Sequence, residues 1–462
     1  MSEEAVHNGH GSTNPVEVMN DLLEKGSGQK PLFWRITALL GLLTVAGIVG
    51  FAIRLTSDGL GDTPKWGYHM ALFALILTAV QGAPMVAIAP RIAKAHWRRS
   101  ISRAAELFGL VGVVSFLIYI PLIWVLPSMT DGRRTLWFYG ELNVPAYMPQ
   151  IMATLVLISL VVTGLSLLWV SARPDFAFLR DRSQGRRRKW YGRLAHGWIG
   201  SSQQWYWQKH RLGILGAFYF MMLVTVHFNV SVDFGMALVP GWIDALYPVT
   251  HAHSSLQSGV AITLVAMYVF YKWGPCKEYI NFDQFWGLGK LLFALSLLWF
   301  WFWFSSFIIF WYGAKPSEEA ILDLLMVGPY LPIFFVVFFL VFFIPLWAMI
   351  WNPLRRSVWG PVTIAISVLI ATALDRIRVY VGAFSVSQHE NKHQLDSIPD
   401  AVLPGLPDVL IWIGGIAACV LVYMLAARFI PPINIWEQKE LKLYQVHKKF
   451  HRTEVQILGK PD

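Results

Sequence analysis

The chain holds 462 residues, 55% of them hydrophobic and 14% charged, with a net charge of +10. Soluble domains carry about 25% charged residues, so too few charges are present to cover a water-facing surface, and an ordinary soluble enzyme is excluded. Two cysteines, Cys276 and Cys419, exclude a disulfide scaffold and an iron–sulfur cluster held by this chain, which takes about four thiolates.

Residues 1–30 form a polar tail rich in Gly, Asn, Glu and Ser, a composition that reads as disordered. No charged, short-apolar, small-residue pattern of a cleaved signal peptide precedes the first apolar segment. A helix needs about 20 apolar residues to cross the ~30 Å hydrocarbon core. Ten windows meet that demand: 32–54, 67–90, 106–126, 147–171, 212–232, 250–271, 288–312, 325–351, 359–381 and 408–429. The expectation is an all-α polytopic membrane protein of about ten spans, one membrane domain over 31–430, and a cytoplasmic tail at 431–462.

Basic residues near span ends stay cytoplasmic. With the N-terminus inside, the inside segments hold most of the 38 Lys and Arg, including Arg91, Lys94, Arg98, Arg99 and Arg103 and the run Arg186–Lys189. The outside segments keep Arg54, Lys65, Arg133, Arg134, Lys315, Arg378 and Lys392, and Arg376 falls in a span end. Both termini are therefore expected in the cytoplasm, and the positive charge is an orientation signal rather than a nucleic-acid footprint. The inside loop 172–211 reads as a topogenic stretch in contact with lipid headgroups, with partner docking as the alternative.

Ionisable groups at membrane depth are costly and point to function. They gather at the expected outer side. His227 lies about one turn from the end of the fifth span, Asp233 follows, and the sixth span opens with His251 and His253. A His beside a carboxylate can hydrogen-bond a quinone carbonyl and exchange its protons; alternatively, His227 and Asp233 satisfy helix-end backbone or each other. His251 and His253 are i,i+2 and point to different helix faces, against joint metal ligation. Asp375–Arg376, near the end of the ninth span, reads as a local ion pair or a proton relay, and Glu318 and Glu319 follow the seventh span. His389–Glu390–Asn391–Lys392–His393 matches the H-E-x-x-H zinc pattern, but it sits in a polar outer loop with no helical framework. No metal site is assigned, and paired histidines deep in the spans, which a b-type haem would need, are not evident. No Gly-rich nucleotide-binding pattern is present.

Five segments in order resemble the NrfD/PsrC family, the quinone-linked membrane subunits of molybdopterin and iron–sulfur oxidoreductases, and most of all the ten-span ActC/ActF subunits of alternative complex III. They are Ala95–Glu106, Pro174–Arg182, Tyr191–Ser201, Val230–Trp242 and Trp311–Glu319. The likeness covers roughly residues 31 to 430. It implies two four-helix bundles plus flanking helices in a bacterial inner membrane. It also implies a quinone or quinol substrate (menaquinone or ubiquinone) near the outer face, with partners in an outer iron–sulfur subunit, a molybdopterin-type subunit and other membrane subunits. Asp233 matches the family's Asp in its S-x-D-F motif. On this resemblance His227, Asp233, His251 and His253 would line the quinone site, and Asp375, Arg376, Glu318 and Glu319 would carry protons. The chain departs from the pattern at Trp124, where the family has His, and at Pro149 or Gln150, where it has Asp. These departures favour the alternative of an anchor or proton-translocating subunit that binds no quinone. A solute transporter is a third reading, for which only the Gln81–Gly82–Ala83–Pro84 break speaks.

Overall fold

The protein is seen in a computed structural model that describes residues 30–127, 145, 147–274, 276–277, 279–386, 394–395, 397–451 and 453–458. The H-E-x-x-H segment, Arg133, Arg134 and Lys392 lie outside these residues. Long apolar windows become helices because lipid offers no partner to a backbone N–H or C=O, so each segment must satisfy its own. In chain order the main elements are α1 (Lys30–Asp58), α2 (Gly67–Gly82), α3 (Met85–Ile92), α4 (Phe108–Tyr119), α5 (Met148–Arg182), α6 (Gly185–Ala195) and α7 (Ser202–Asp233). There follow α8 (Tyr247–Lys272), α9 (Phe282–Gly313), α10 (Pro316–Leu322), α11 (Leu331–Phe338), α12 (Ile344–Ile350), α13 (Trp359–Phe384), α14 (Leu406–Phe429) and α15 (Ile435–Tyr444). A two-stranded antiparallel hairpin, β1 (Gln445–Phe450) and β2 (Thr453–Leu458), closes the described chain.

Among the described residues, nine helical segments are long and apolar enough to cross a membrane. The tenth expected span, 359–381, forms the 26-residue helix α13 but is not one of the nine; it carries Asp375, Arg376 and Arg378 within four residues. The protein is an all-α, multi-pass membrane protein. Helices α4, α5 and α7 pack as one group and α8, α9, the α11–α12 segment and α13 as another; α2 lies between them, against α8, α13 and α4, and α1 and α14 pair at the flank. The expected loop 172–211 is mostly helical, because α5 continues through Pro174 to Arg182 and α6 folds back on it.

Small residues bring the helices into contact. A Cβ on Gly82 would lie 2.0 Å from the Ser255 carbonyl oxygen, and one on Gly259 would lie 2.3 Å from the Gly82 carbonyl carbon. At this point α2 and α8 touch backbone to backbone, as membrane helices do where small residues line an interface. The same device joins α1 to α14, where a Cβ on Gly414 would lie 2.3 Å from the Gly47 Cα. Arg54 clamps that pair at one end, 2.5 Å from Asp408 and 2.9 Å from Asp58. At the other end the Arg428 guanidinium lies 5.6 Å over the Phe33 ring.

The segment expected as a C-terminal tail does not stand apart. Helix α15 is docked against the ends of the spans, and the Glu437 side chain is fully buried. Glu437 accepts from Arg98 at 2.7 Å and Arg91 at 3.4 Å. Arg91 continues to Glu106 at 2.9 Å, and Arg103 joins Glu106 at 3.3 Å and Asp175 at 2.9 Å. Three guanidiniums and three carboxylates thus alternate in one continuous chain. Its Glu437 end is further held by Asn434, by the Trp436 indole on the Ser171 carbonyl and by Gln438 on Ser100. Burial alone would raise the Glu437 carboxyl, but Arg98 and Arg91 outweigh it and hold it at about 2.

Two outcomes follow. Gly259→Leu should force α2 and α8 apart and cost about 3 kcal/mol, read as a lower thermal midpoint, while Gly41→Leu, with nothing within 4 Å of its added carbon, should leave it unchanged. Folding lowers the Glu437 pKa from its ordinary 4.5, so its contribution is complete above that value and is lost as the pH falls towards about 2. Glu437→Gln should remove this acid dependence and cost about 3 kcal/mol, since it leaves the buried Arg98 without a carboxylate and Arg91 with Glu106 alone. Protease release of the segment after α14, measured against pH, checks both points.

Candidate functional site

The site is built on α8, whose polar residues recur at helical spacing: Tyr247, Thr250, His251 and Ser254. Asp244 starts it. Its carboxylate accepts from the backbone N–H groups of Leu246 and Tyr247 at 2.8 and 3.1 Å, and its other oxygen takes the Ser306 hydroxyl of α9 at 2.5 Å. His251 points inward to α7 and α13 and is fully buried. Its Nδ1 lies 2.7 Å from His227 Nδ1, and its Nε2 lies 2.8 Å from the Tyr380 hydroxyl.

A bond between two Nδ1 atoms needs one protonated and one bare nitrogen. If His251 Nδ1 donates, its Nε2 must accept, and the Tyr380 O–H donates to it. If His227 Nδ1 donates, His251 Nε2–H donates to the tyrosine oxygen. The bonds reverse together, which is the behaviour of a proton relay. The pair is not a metal clamp, since two nitrogens on one ion stand more than about 3 Å apart. His227 Nε2 is buried with no hydrogen-bond partner among the described residues, so one end of the relay carries an unsatisfied polar atom, although His227 itself lines neither cavity of the site.

Beside the relay is a cavity of about 60 Å³ lined by His251, Tyr247, Asp244, Asp375, Arg376 and Arg378, with Trp299, Trp303 and Phe307 of α9 as its apolar wall. Asp375 binds Arg378 at 2.6 Å and Arg376 at 3.4 Å. Arg376 also donates to Thr78 of α2 at 3.2 Å, and Arg378 to the Leu325 carbonyl at 2.6 Å. Leu325 lies in a π-helical stretch, Asp323–Val327, where the wider turn redirects backbone carbonyls, as such bulges do at functional sites. Two carboxylates, Asp244 and Asp375, balance two guanidiniums around the cavity. A smaller cavity of about 10 Å³ continues from it between Ser254, Gln257, Thr372 and Asp375, room for about one water. Beyond it Ser258 bonds Thr372 at 2.8 Å and Gln257 bonds Ser296 at 2.9 Å.

The structure therefore joins three of the expected residues, His251, Asp375 and Arg376, around one cavity, and attaches His227 through His251. It places the others elsewhere. Asp233 is buried, but six residues on from His227 it has turned by about 240° and acts electrostatically on Tyr119 of α4, away from the cavity. His253 is on another face of α8, bonded to the Leu295 carbonyl at 2.9 Å. Glu318 pairs with Lys315 at 3.5 Å and Glu319 is exposed; neither lines the cavity. Tyr380, Tyr247, Asp244 and Arg378 complete the site. Tyr380 is absent from the expected site; the signal that could have found it is its place one turn beyond Arg376, on the same face of α13.

Fold and site together define a multi-pass α-helical membrane protein with a buried, hydrogen-bonded cluster of titratable groups beside a water-sized cavity. No protein-family model matches the chain, and no curated protein matches it.

Proposed function

We propose that this chain is the membrane subunit of a quinone-linked respiratory oxidoreductase complex. In this reading it exchanges electrons between an iron–sulfur subunit at the outer face and membrane quinone, and His227–His251–Tyr380 handles the protons. Oxidation of a quinol releases two electrons and two protons; the electrons pass to the partner's clusters, and the protons need a buried acceptor that can hand them on. The observation that carries the proposal is the relay itself, which reaches the cavity through His251 and ends on the unpartnered His227 Nε2. Asp375, Arg376 and Arg378 would hold water in the adjoining cavity and lead protons away along the polar face of α8. The NrfD/PsrC-like segments support the same reading. The crowding of Lys and Arg at the end bearing α15 supports a cytoplasmic placement of that end under the positive-inside rule, and in this reading the membrane is a bacterial inner membrane.

A second reading is a proton-translocating subunit that binds no quinone. The cavity volume of about 60 Å³ favours it, because ligand sites usually span about 300 Å³ or more, whereas this space suits a few waters.

The test is a titration of a quinone analogue against the purified complex, with quinol oxidation and proton release measured for wild type, His251→Ala and Tyr380→Phe. The proposal expects the analogue to bind and both variants to lose about a hundredfold in quinol oxidation, the usual worth of a positioned acid–base group. No specific analogue binding, with proton release still lost in the variants, would transfer the site to the second reading. Unchanged quinol oxidation and proton release in both variants would remove the relay from function altogether.

A further inference from the structure

Helices α5 and α7 are 35 and 32 residues long, about 52 and 48 Å at 1.5 Å per residue, against a core of ~30 Å. Helices of that length must extend past the core; α15 packs at the C-terminal end of α5, where Trp436 bonds the Ser171 carbonyl, and α6 lies in the connection between α5 and α7 at that same end. Its position is fixed by side chains of α5. The Trp169 indole donates to the Leu194 carbonyl at 2.9 Å, and Arg173 donates to the carbonyls of Ala195 and His196 at 3.2 and 3.1 Å, capping the helix C-terminus. The Tyr191 ring stacks on Phe176 at 6.2 Å. The Tyr191 hydroxyl donates to the carbonyl of Phe429 at 3.4 Å, and Phe429 is the last residue of the α14 span. Helix α6 is therefore held at the depth where a spanning helix ends, which is the headgroup layer.

At that depth it presents Arg186, Arg187, Arg188, Lys189 and Arg193, all exposed. No ion pair engages any of the five among the described residues; nearby Asp181 is taken by Arg180 at 2.8 Å. Trp190, within the same run, is 66% exposed, and tryptophan prefers the membrane–water boundary. A cluster of four to eight cations next to a spanning helix is the usual signature of anionic lipid recognition. We propose that α6 is a docking site for anionic phospholipid headgroups, with the guanidiniums on lipid phosphates and Trp190 in the boundary layer.

The experiment uses the full chain, purified and delipidated in detergent and titrated with phosphatidylglycerol or phosphatidylcholine, with retained lipid counted by native mass spectrometry. Wild type should prefer phosphatidylglycerol. Each neutralised cation should weaken that preference about fivefold, so Arg187→Gln with Arg188→Gln should lower it about 25-fold. Both positions are exposed, so the thermal midpoint should not move, and Lys315→Gln on the opposite end should have no effect. Equal retention of the two lipids by wild type would overturn the inference. So would complete displacement by excess inorganic phosphate together with no effect of Trp190→Ser, which marks a soluble-phosphate site. Tight binding of an RNA oligonucleotide that the double variant abolishes, with no lipid preference, would overturn it as well.

Discussion

The contact between Gly82 and Gly259 is the constraint on which the interior depends. Only where both residues lack a side chain can α2 and α8 meet at backbone distance, and only that approach lets α8 sit among α2, α7 and α13 at once. From this crossing His251, two turns along α8, reaches His227 on one side and Tyr380 on the other. Arg376, facing it on α13, reaches Thr78 of α2. The site is a consequence of helix spacing, and helix spacing is a consequence of glycine.

The second constraint is the cost of polar atoms away from water. A buried hydrogen-bonding group without a partner costs about 1 to 3 kcal/mol, and a buried charge costs more. The chain meets this cost by pairing. Arg376 and Arg378 share Asp375, Asp244 caps α8 and takes Ser306, and the two histidines take each other. At the opposite end Arg91, Arg98 and Arg103 are matched to Glu106, Asp175 and Glu437. Both clusters leave buried polar atoms without a hydrogen-bond partner among the described residues, Arg91 Nε and Asp175 Oδ1 at α15 and His227 Nε2 at α8. They differ in their surroundings: the α15 cluster is covered by a docked helix, whereas the α8 cluster adjoins a cavity. That difference is why the proposed chemistry is assigned to the second and not the first.

Much of the fold was legible because lipid imposes a simple rule, and windows of about 20 apolar residues map onto the observed helices. The rule finds α13 as the window 359–381 although three charged residues share that helix, but it gives no warning for α6, which lies within a stretch too polar to read as a span. The site was legible in part. His251, Asp375 and Arg376 stand out as charges in greasy surroundings, but grouping Asp233 and His253 with them ignored the 100° turn per residue that sends each to another face. Tyr380 was missed because a tyrosine near the end of an apolar run reads as an interfacial aromatic. The docking of α15 was illegible for a different reason: Glu437 finds Arg98 across 339 positions, and nothing local to either residue announces the other.

The account stands on the hydrogen bond between His227 and His251. The most direct measurement is solid-state NMR of the full chain in bilayers with nitrogen-15 histidine. It should show one protonated and one bare Nδ1 coupled across a short hydrogen bond, and the coupling should vanish in His251→Ala. Two histidines with uncoupled Nδ1 atoms, each bonded elsewhere, would contradict the relay and the function built on it.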